Sequence, residues 1–412
     1  MTTTVRIERR SKKAFTLIID HGIDPITKKR KKETQTVQTD DEEVAKLARL
    51  KILTDLAKKT YKPSSKATVE EYIEYWFTTP AAKRLAPKTL QGYRKNADLR
   101  IIPWIGHIKI RELTRDDLNK FYGKIIEVGH LDNLKPPEID PVTGKEIPRK
   151  RKEVGKDTIE QHHRFIRRVL NHAIFEDEIL ERNVAARIVL PEPIKEFNAD
   201  EGLVKVFTSD EIIALENHIE KDQKAIPYKN IIKVDLRTGM RRGEILALEV
   251  DCVNFKNRTI FIKRSLSYTK EKGCFFKPTK GKKRRIIEVT DEVLDAIRDE
   301  FRRQAPHKLR LKNNYQKNNL IFCREDGVNL HPDTISTLFP KLCKKAGVSE
   351  LNFHCLRHTH ASHLLAIEDI AHVSKRLGHS DVSITYKTYF HLIPLEKRAA
   401  LKDLEKRFKK VV

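Results

Sequence analysis

The amino-acid sequence predicts a multidomain chain, mainly α with small β elements: an N-terminal three-stranded sheet plus helix, a four-helix domain, and a mixed α+β C-terminal domain. Three observations predict this. At 412 residues the chain exceeds one ordinary core, since a length prior of about 150 residues per domain gives two or three. Strand-like runs occur near the start and in the stretch around residue 270, while the rest repeats apolar residues at helical spacing. Proline-bearing breaks, "YKPSSKA" and the prolines at 191 and 193, separate the three parts.

Residues 1–62 open with the strand-like pieces "TVRIERR", "AFTLIID" and "KETQTVQT", with a basic turn at Lys28 to Lys32. The helical "DDEEVAKLARLKILTDLAKK" follows, its acidic start suiting the positive end of a helix dipole. A small sheet with one helix is either an appendage that lays strands in a DNA groove or a packing module, and the residues leave both open. Residues 67–190 turn helical in "TVEEYIEYWFTT", "APKTLQGYRKNADLRIIPWIG", "TRDDLNKFYGKIIEVG" and "KDTIEQHHRFIRRVLNHAIFEDEIL". Inside them residues 131–155, rich in Pro, Gly and charge, are expected to form a surface insertion, with a β-hairpin as one form it can take.

Residues 206–412 are mixed. "FTSDEIIALENHI" opens on Thr208 and Glu211 at capping-box spacing, and a helix is expected through "RTGMRRGEILALEV". Strands are expected at "RTIFIKRSL", "GCFFKP" and "RRIIEV", joined by Gly- and Lys-rich turns. The remainder, 291–410, reads as helical again.

Charge narrows the function classes. The 83 Lys plus Arg against 58 Asp plus Glu leave +25, which favours a polyanionic partner, nucleic acid first; an inert basic surface is the alternative. Cys252, Cys274, Cys323, Cys343 and Cys355 are scattered, odd in number and lack a CxxC pair, so reduced, buried thiols are expected rather than disulfides or a zinc cluster. No apolar run nears the roughly 18 residues of a membrane helix, and the start lacks a signal-peptide core. A cytoplasmic protein without a membrane partner is expected.

Four stretches could carry chemistry. "NFHCLRHTHASHLL" packs His354, His358, His360 and His363 around Arg357. His354, Arg357 and His358 fall at i, i+3 and i+4, on one helix face. A zinc site is disfavoured there because a guanidinium would lie one turn from the cation. In "TGMRRGE", Arg241 and Glu244 share a face, as either a rigidly held arginine or an ordinary ion pair. "FKPTKGKKRRIIEV" has six basic residues in the nine from Lys277 to Arg285, placed to meet phosphate or to be a solvated turn. "RLGHSDVSITYKTYFHL" adds His379, Tyr386 and Tyr389. Such a set suits phosphodiester chemistry: two guanidiniums hold nonbridging oxygens, a tyrosine attacks, and a lysine protonates the leaving oxygen.

In the order and spacing of these four stretches the chain resembles the tyrosine recombinases, and as a whole it is similar to phage or integrative-conjugative-element integrases. The resemblance implies a catalytic domain at 206–412, a core-binding helical domain at 67–190 and an arm-type DNA-binding domain at 1–62. It departs from the pattern at "ERNVA", where many members have Asn-Pro, and in the 131–155 insertion. Carried over by position, Arg241 and Arg357 resemble the phosphate-clamping arginines. Lys280 resembles the hairpin lysine that acts as acid, with Lys277 and Lys282 as competitors. His354 resembles the histidine that assists the nucleophile, and His379 the position that contacts the phosphate or braces the tyrosine. Tyr389, ten residues after His379, resembles the nucleophile, leaving Tyr386 aside; Glu244 resembles the acid supporting the first arginine. His358, His360 and His363 are expected to be structural or incidental.

The resemblance further implies a site-specific recombinase that closes a C-shaped clamp on double-stranded attachment-site DNA. It would cut one strand per subunit through a 3′-phosphotyrosine and rejoin ends without ATP, metal or other cofactor, integrating and excising a mobile element. A homotetrameric synapse, docking of the tail "LEKRAALKDLEKRFKK" on a neighbour, an accessory DNA-bending or excision factor, and a nucleoid-associated place in a bacterial cytoplasm belong to the same expectation. The alternatives are a type IB topoisomerase-like relaxing enzyme and a non-catalytic DNA-binding protein.

Overall fold

The computed structural model describes residues 4–11, 13–23, 30–57, 67–131, 138–139, 146–147, 152–192, 204–279, 281 and 284–392. The chain divides into two units, residues 1–196 and 197–412. In the first, strands β1 (Thr4–Ser11), β2 (Ala14–Ile23) and β3 (Arg30–Gln38) form an antiparallel sheet in that order. The register pairs Val5 with Ile19 and Ile7 with Leu17, so period-two alternation gathers apolar side chains on one face. Helix α1 (Glu42–Ala57) covers that face through Ile52, and Arg49 Nε donates to the Val5 carbonyl at 3.0 Å. Lys28 and Lys29 of the basic turn lie outside the described residues.

The helical part of this unit holds α2 (Val69–Thr78), α3 (Pro80–Lys83), α4 (Pro87–Asn96), α5 (Ile102–Ile105), α6 (Arg115–Val128) and α7 (Lys156–Phe175). Reciprocal boxes start α2 (Thr68 with Glu71) and α6 (Thr114 with Asp117), satisfying donors that a helix start leaves free. A π-helical turn, Ala97–Ile101, joins α4 to α5. Trp76, 0% exposed, lies edge-on to Phe165 at 5.4 Å, and Tyr93 stacks on Phe165 at 4.8 Å. Within the 131–155 segment, β4 (Glu138–Ile139) pairs antiparallel with β5 (Glu146–Ile147).

The second unit begins with α8 (Ser209–Lys221), α9 (Lys229–Thr238) and α10 (Arg242–Ile245). Strands β6 (Val253–Asn254), β7 (Thr259–Ile262), β8 (Arg264–Thr269), β9 (Gly273–Pro278) and β10 (Arg285–Glu288) follow, as a sheet in order β10-β7-β6 and a β8-β9 hairpin. Helices α11 (Asp291–Leu311), α12 (Pro332–Ala346), α13 (Cys355–Ile367), α14 (Ile370–Leu377) and α15 (Val382–Tyr389) complete it. The continuous helix expected through "RTGMRRGEILALEV" does not form. Gly239 at φ +61 caps α9 in the left-handed region, where a side chain is costly, and Arg241 is extended at the cap of α10. The stretch 291–410 is also not helical throughout: bridges Glu249↔Leu320 and Cys323↔Asn329 interrupt it. Residues 393–412, with the tail helix expected there, lie outside the described residues. No helix among the described residues is long and apolar enough to cross a membrane.

Candidate active site

Two helix ends, both closed by left-handed glycines, build the floor of the site in the second unit: Gly239 after α9 and Gly378 after α14. Helix C-termini present carbonyl oxygens with no helical partner and the negative end of the dipole, which suits guanidinium donors. Arg357 Nη1 donates to the Gly239 carbonyl at 2.7 Å and Nη2 to the Leu377 carbonyl at 2.8 Å. Arg241 Nη1 reaches the same Leu377 carbonyl at 3.4 Å, and Nη2 donates to that of Gly378 at 3.0 Å. Two arginines 116 positions apart in sequence thus meet on one oxygen. The glycines also permit close approach: a Cβ on Gly239 would sit 2.6 Å from His360 Cδ2, and one on Gly378 2.9 Å from Arg285 Nη1.

Glu244, 2% exposed, ties the arginines together. Its Oε1 accepts from Arg241 Nη1 at 3.0 Å and its Oε2 from the Arg241 backbone N–H at 3.1 Å. Arg285 adds a two-pronged contact, Nη1 to Oε1 at 3.2 Å and Nη2 to Oε2 at 2.8 Å. Burial alone would raise the Glu244 carboxyl, yet Arg285 and then Arg241 hold it below its ordinary value. Asp235, 1% exposed on α9, differs: neither oxygen has a hydrogen-bond partner among the described residues, and burial raises its pKa well above the carboxylate range. Arg241 and Arg285 thus pair with the Glu244 carboxylate, while burial favours the uncharged form of Asp235. Burial, followed by the Arg241 charge, pushes Arg357 down to about 10. Uncompensated positive charge shielded from water is a place for an anion.

Tyr389 ends α15 and is 1% exposed. Burial pushes its phenol up to about 12, against the pull of Arg357 and Arg241. Its Oη lies 2.8 Å from His358 Nδ1, and the His354 ring meets the His358 ring edge-on at 4.6 Å. His379 Nε2 is 3.0 Å from Arg357 Nη2, and its Nδ1 2.7 Å from Thr385 Oγ1. A guanidinium only donates, so Nε2 accepts and the ring proton is assigned to Nδ1. Desolvation by surrounding protein pushes His354, His358 and His379 each down to about 4, with Arg357 acting the same way. All three rings are neutral at pH 7.

Of the residues singled out from sequence, the structure gathers Arg241, His354, Arg357, His379 and Tyr389 into this one connected set. Lys280 and its competitor Lys282 lie outside the described residues, and Lys277 is exposed on β9. Tyr386 is exposed and packs on Phe390 at 4.7 Å. Three further residues join the cluster: His358, expected to be structural or incidental and here in contact with Tyr389 Oη; Arg285, counted only as the end of the basic stretch; and Asp235. Only Asp235 had a signal, a carboxylate inside the apolar stripe of "NIIKVDLRTG". His360 is fixed between the Leu236 carbonyl and Arg376 Nε, each at 3.1 Å, and His363 is exposed. Among the described residues the groupings able to hold a metal are Glu249 with Asp251 and Cys252, and Glu368 with Asp369 and His372. In the first, Glu249 already pairs with Lys263 and Arg264.

Comparison with known proteins fits this geometry. Residues 205–395 match the phage integrase family, and residues 68–126 the phage integrase N-terminal SAM-like domain. A tyrosine recombinase XerC-like protein of Caldanaerobacter subterraneus is 25% identical over 61% of this chain and 66% of its own length. The integrase of Staphylococcus phage L54a is 30% identical over 42% of this chain and 51% of its own. The matches thus span about half to two thirds of these two relatives. Among solved structures, the Tn1549 transposon integrase in complex with a circular intermediate DNA aligns with a TM-score of 0.64 at 17% identity, over 82% of this chain and 99% of that one. A lambda integrase dimer bound to a COC′ core site aligns at 0.52 and 13%, over 92% and 93%. The fold is that of these enzymes, mostly helical with small sheets. Its paired guanidiniums, neutral histidines and buried tyrosine stand in the matched region, and the chain belongs to the phage integrase family of tyrosine recombinases.

Proposed function

We propose that this chain is a site-specific DNA recombinase, an integrase that cuts and rejoins duplex DNA through Tyr389. The observation that carries the reading is the meeting of Arg241 and Arg357 on the Leu377 carbonyl, in the same cluster as Tyr389. A phosphodiester bound there receives two sets of N–H donors on its nonbridging oxygens, where charge grows in the transition state. Tyr389 Oη attacks phosphorus, the P–O5′ bond breaks, and a 3′-phosphotyrosine keeps the bond energy for rejoining by a 5′ hydroxyl. The departing oxygen takes its proton from the hairpin lysine, for which Lys280 is the candidate. His379, fixed between Arg357 and Thr385, braces the clamp.

Two proteins with the same fold, the Tn1549 transposon integrase in complex with a circular intermediate DNA and the lambda integrase bound to a COC′ core site, support duplex DNA as the substrate, as does the +25 charge. In this reading residues 67–190 grip the core site, residues 1–62 bind arm-type sites, and four subunits form the synapse. Because guanidiniums supply the charge stabilisation, strand transfer should proceed in EDTA. The test is a nicked duplex spanning the junction between the element and its host DNA, incubated with the full chain in EDTA. A protein–DNA adduct resistant to denaturant and lost in Tyr389→Phe is expected; no adduct under any ionic condition would defeat the reading.

A further inference from the structure

The search for the group that takes the nucleophile's proton begins with the three neutral histidines around Tyr389. His379 has both ring nitrogens engaged, Nε2 by Arg357 and Nδ1 by Thr385. Accepting a proton at Nε2 would require it to release the guanidinium that holds the phosphate. His354 has its ring against that of His358, and among the described residues no hydrogen bond joins it to Tyr389. His358 alone has a nitrogen on the hydroxyl, Nδ1 at 2.8 Å from Oη, well within the reach a general base needs. The Tyr389 and His358 rings are 5.6 Å apart and tilted by 58°.

We propose that His358 is a further catalytic residue, the base that accepts the Tyr389 proton during strand cleavage and returns it during rejoining. The proposal rests on Tyr389 being the nucleophile. In cleavage the Oη–H bond breaks and its proton passes to His358 Nδ1, while the freed electron pair of Oη forms the O–P bond. The P–O5′ bond breaks and the leaving oxygen collects a separate proton from the acid. No oxidant, reductant or further reactant is needed. In rejoining, the 5′ hydroxyl attacks phosphorus, the Tyr389 oxygen leaves, and His358 gives the proton back to it.

Two features of the surroundings favour this role. A phenol with its pKa raised is a weak nucleophile without a base at hand, and the neutral ring of His358 has a lone pair to offer. His358 is also the immediate neighbour of Arg357 on α13. With Tyr389 1% exposed, a phosphate reaches Oη only after neighbouring side chains shift. A shift that keeps Arg357 on the phosphate keeps His358 beside it. The groups facing the ring are His354 and Arg357 from α13, His379 from the loop after α14, and Tyr389 from α15.

The experiment measures covalent adduct formation by the full chain on the nicked junction duplex, from pH 5 to pH 10. It compares the unaltered chain with His358→Asn, His358→Gln and His354→Asn, alongside DNA binding and thermal melting. Asparagine keeps an acceptor but is no base. His358→Asn is expected to slow adduct formation by roughly a hundredfold or more near pH 7 with binding unchanged. Its rate should climb with pH as solvent hydroxide takes over, where the unaltered chain is flat, and imidazole should restore part of it. A rate within twofold of the unaltered chain, or a faster one, would show that His358 only parks the tyrosine and would overturn the proposal. A hundredfold loss confined to His354→Asn would overturn it too. If His358→Asn melts early, His358→Gln with its own pH profile decides by the same criteria. Absence of an adduct from the unaltered chain condemns the recombinase reading instead, so the two failures are distinguishable.

Discussion

Both units have an apolar core, but only the second sets a cluster of buried charges beside it. In the first, Trp76, Phe165 and Tyr93 fill the middle of the helices with aromatic area in edge-on and stacked contact. A buried polar contact there ties α2 to the end of α7, with the Tyr72 hydroxyl bound to Asp177 and 2.9 Å from His172 Nδ1. In the second, the ground between α9, α10, α13 and α14 is held by Arg357, Arg241 and Arg285, which donate to backbone carbonyls, and by Glu244, which accepts from Arg241 and Arg285. An apolar centre is stabilised by area removed from water and tolerates change in proportion to the volume lost. A charged centre depends on every partner remaining, because each ion left alone must stay desolvated without compensation. The first arrangement makes a platform. The second gathers positive charge away from water, which is what the proposed phosphate clamp requires.

The comparison breaks most visibly at its two anchors. Trp76→Ala removes the largest buried side chain of the first unit and should cost about 3–5 kcal/mol. Both tryptophans of the chain, Trp76 and Trp104, lie in this unit, so fluorescence of the remaining one follows its denaturant unfolding alone. A cost below about 1 kcal/mol would mean that the aromatic cluster is not its stabilising centre. Glu244→Gln deletes no volume but strands Arg285 and Arg241 beside a neutral amide, and breaking such a pair costs about 3–5 kcal/mol. The acid-side behaviour follows from the sign of the shift. Glu244 is depressed in the folded chain, so its contribution is complete above the unfolded value of about 4.3 and fades as pH falls through the lower folded value. The two chains should therefore converge in stability only below about pH 4, read from melting of the second unit by circular dichroism. A gap independent of pH would assign the loss to shape instead of charge.

How much of this was legible in sequence follows the same division. Apolar centres are written in periodicity: Tyr72, Ile73 and Trp76 fall at helical spacing and are all buried, and the Thr208–Glu211 box sits where the spacing puts it. The motif order also named Arg241, His354, Arg357, His379 and Tyr389 as a set, and the fold gathers them. The contacts themselves were not legible, because they join residues far apart in sequence, some through backbone carbonyls and some through side chains. Arg357 meets Gly239 across 118 positions, and Arg285 meets Glu244 across 41. Periodicity also carried the reading straight through Gly239, where one left-handed residue ends the helix and frees the carbonyl that Arg357 needs. The contact of His358 with Tyr389 was not legible because spacing shows which helix face a histidine occupies, and not which hydroxyl from 31 positions later in the chain meets it.

The finest test of the charged centre is Asp235→Asn. Burial raises the pKa of Asp235 in the folded chain against the pull of Arg357, whereas in the unfolded chain it ionises near 3.9. Above that value the unfolded state binds fewer protons than the folded one, so stability falls as pH rises toward the raised folded value. Asparagine is neutral in both states and close in shape. It should therefore raise the melting temperature at pH 7.5, by an amount corresponding to about 1.4 kcal/mol for each pH unit between the unfolded value and the folded one, and the gain should shrink toward nothing as pH approaches 4. Adduct formation should be unaffected, since a neutral group is replaced by a neutral group and the positive charge offered to the phosphate stays the same. The opposite result, a variant less stable at pH 7.5 with a gap that closes in acid, would mean that Asp235 is ionised and paired with Arg357. The charged centre would then hold one positive charge fewer for DNA, and the contrast between the two units would narrow accordingly.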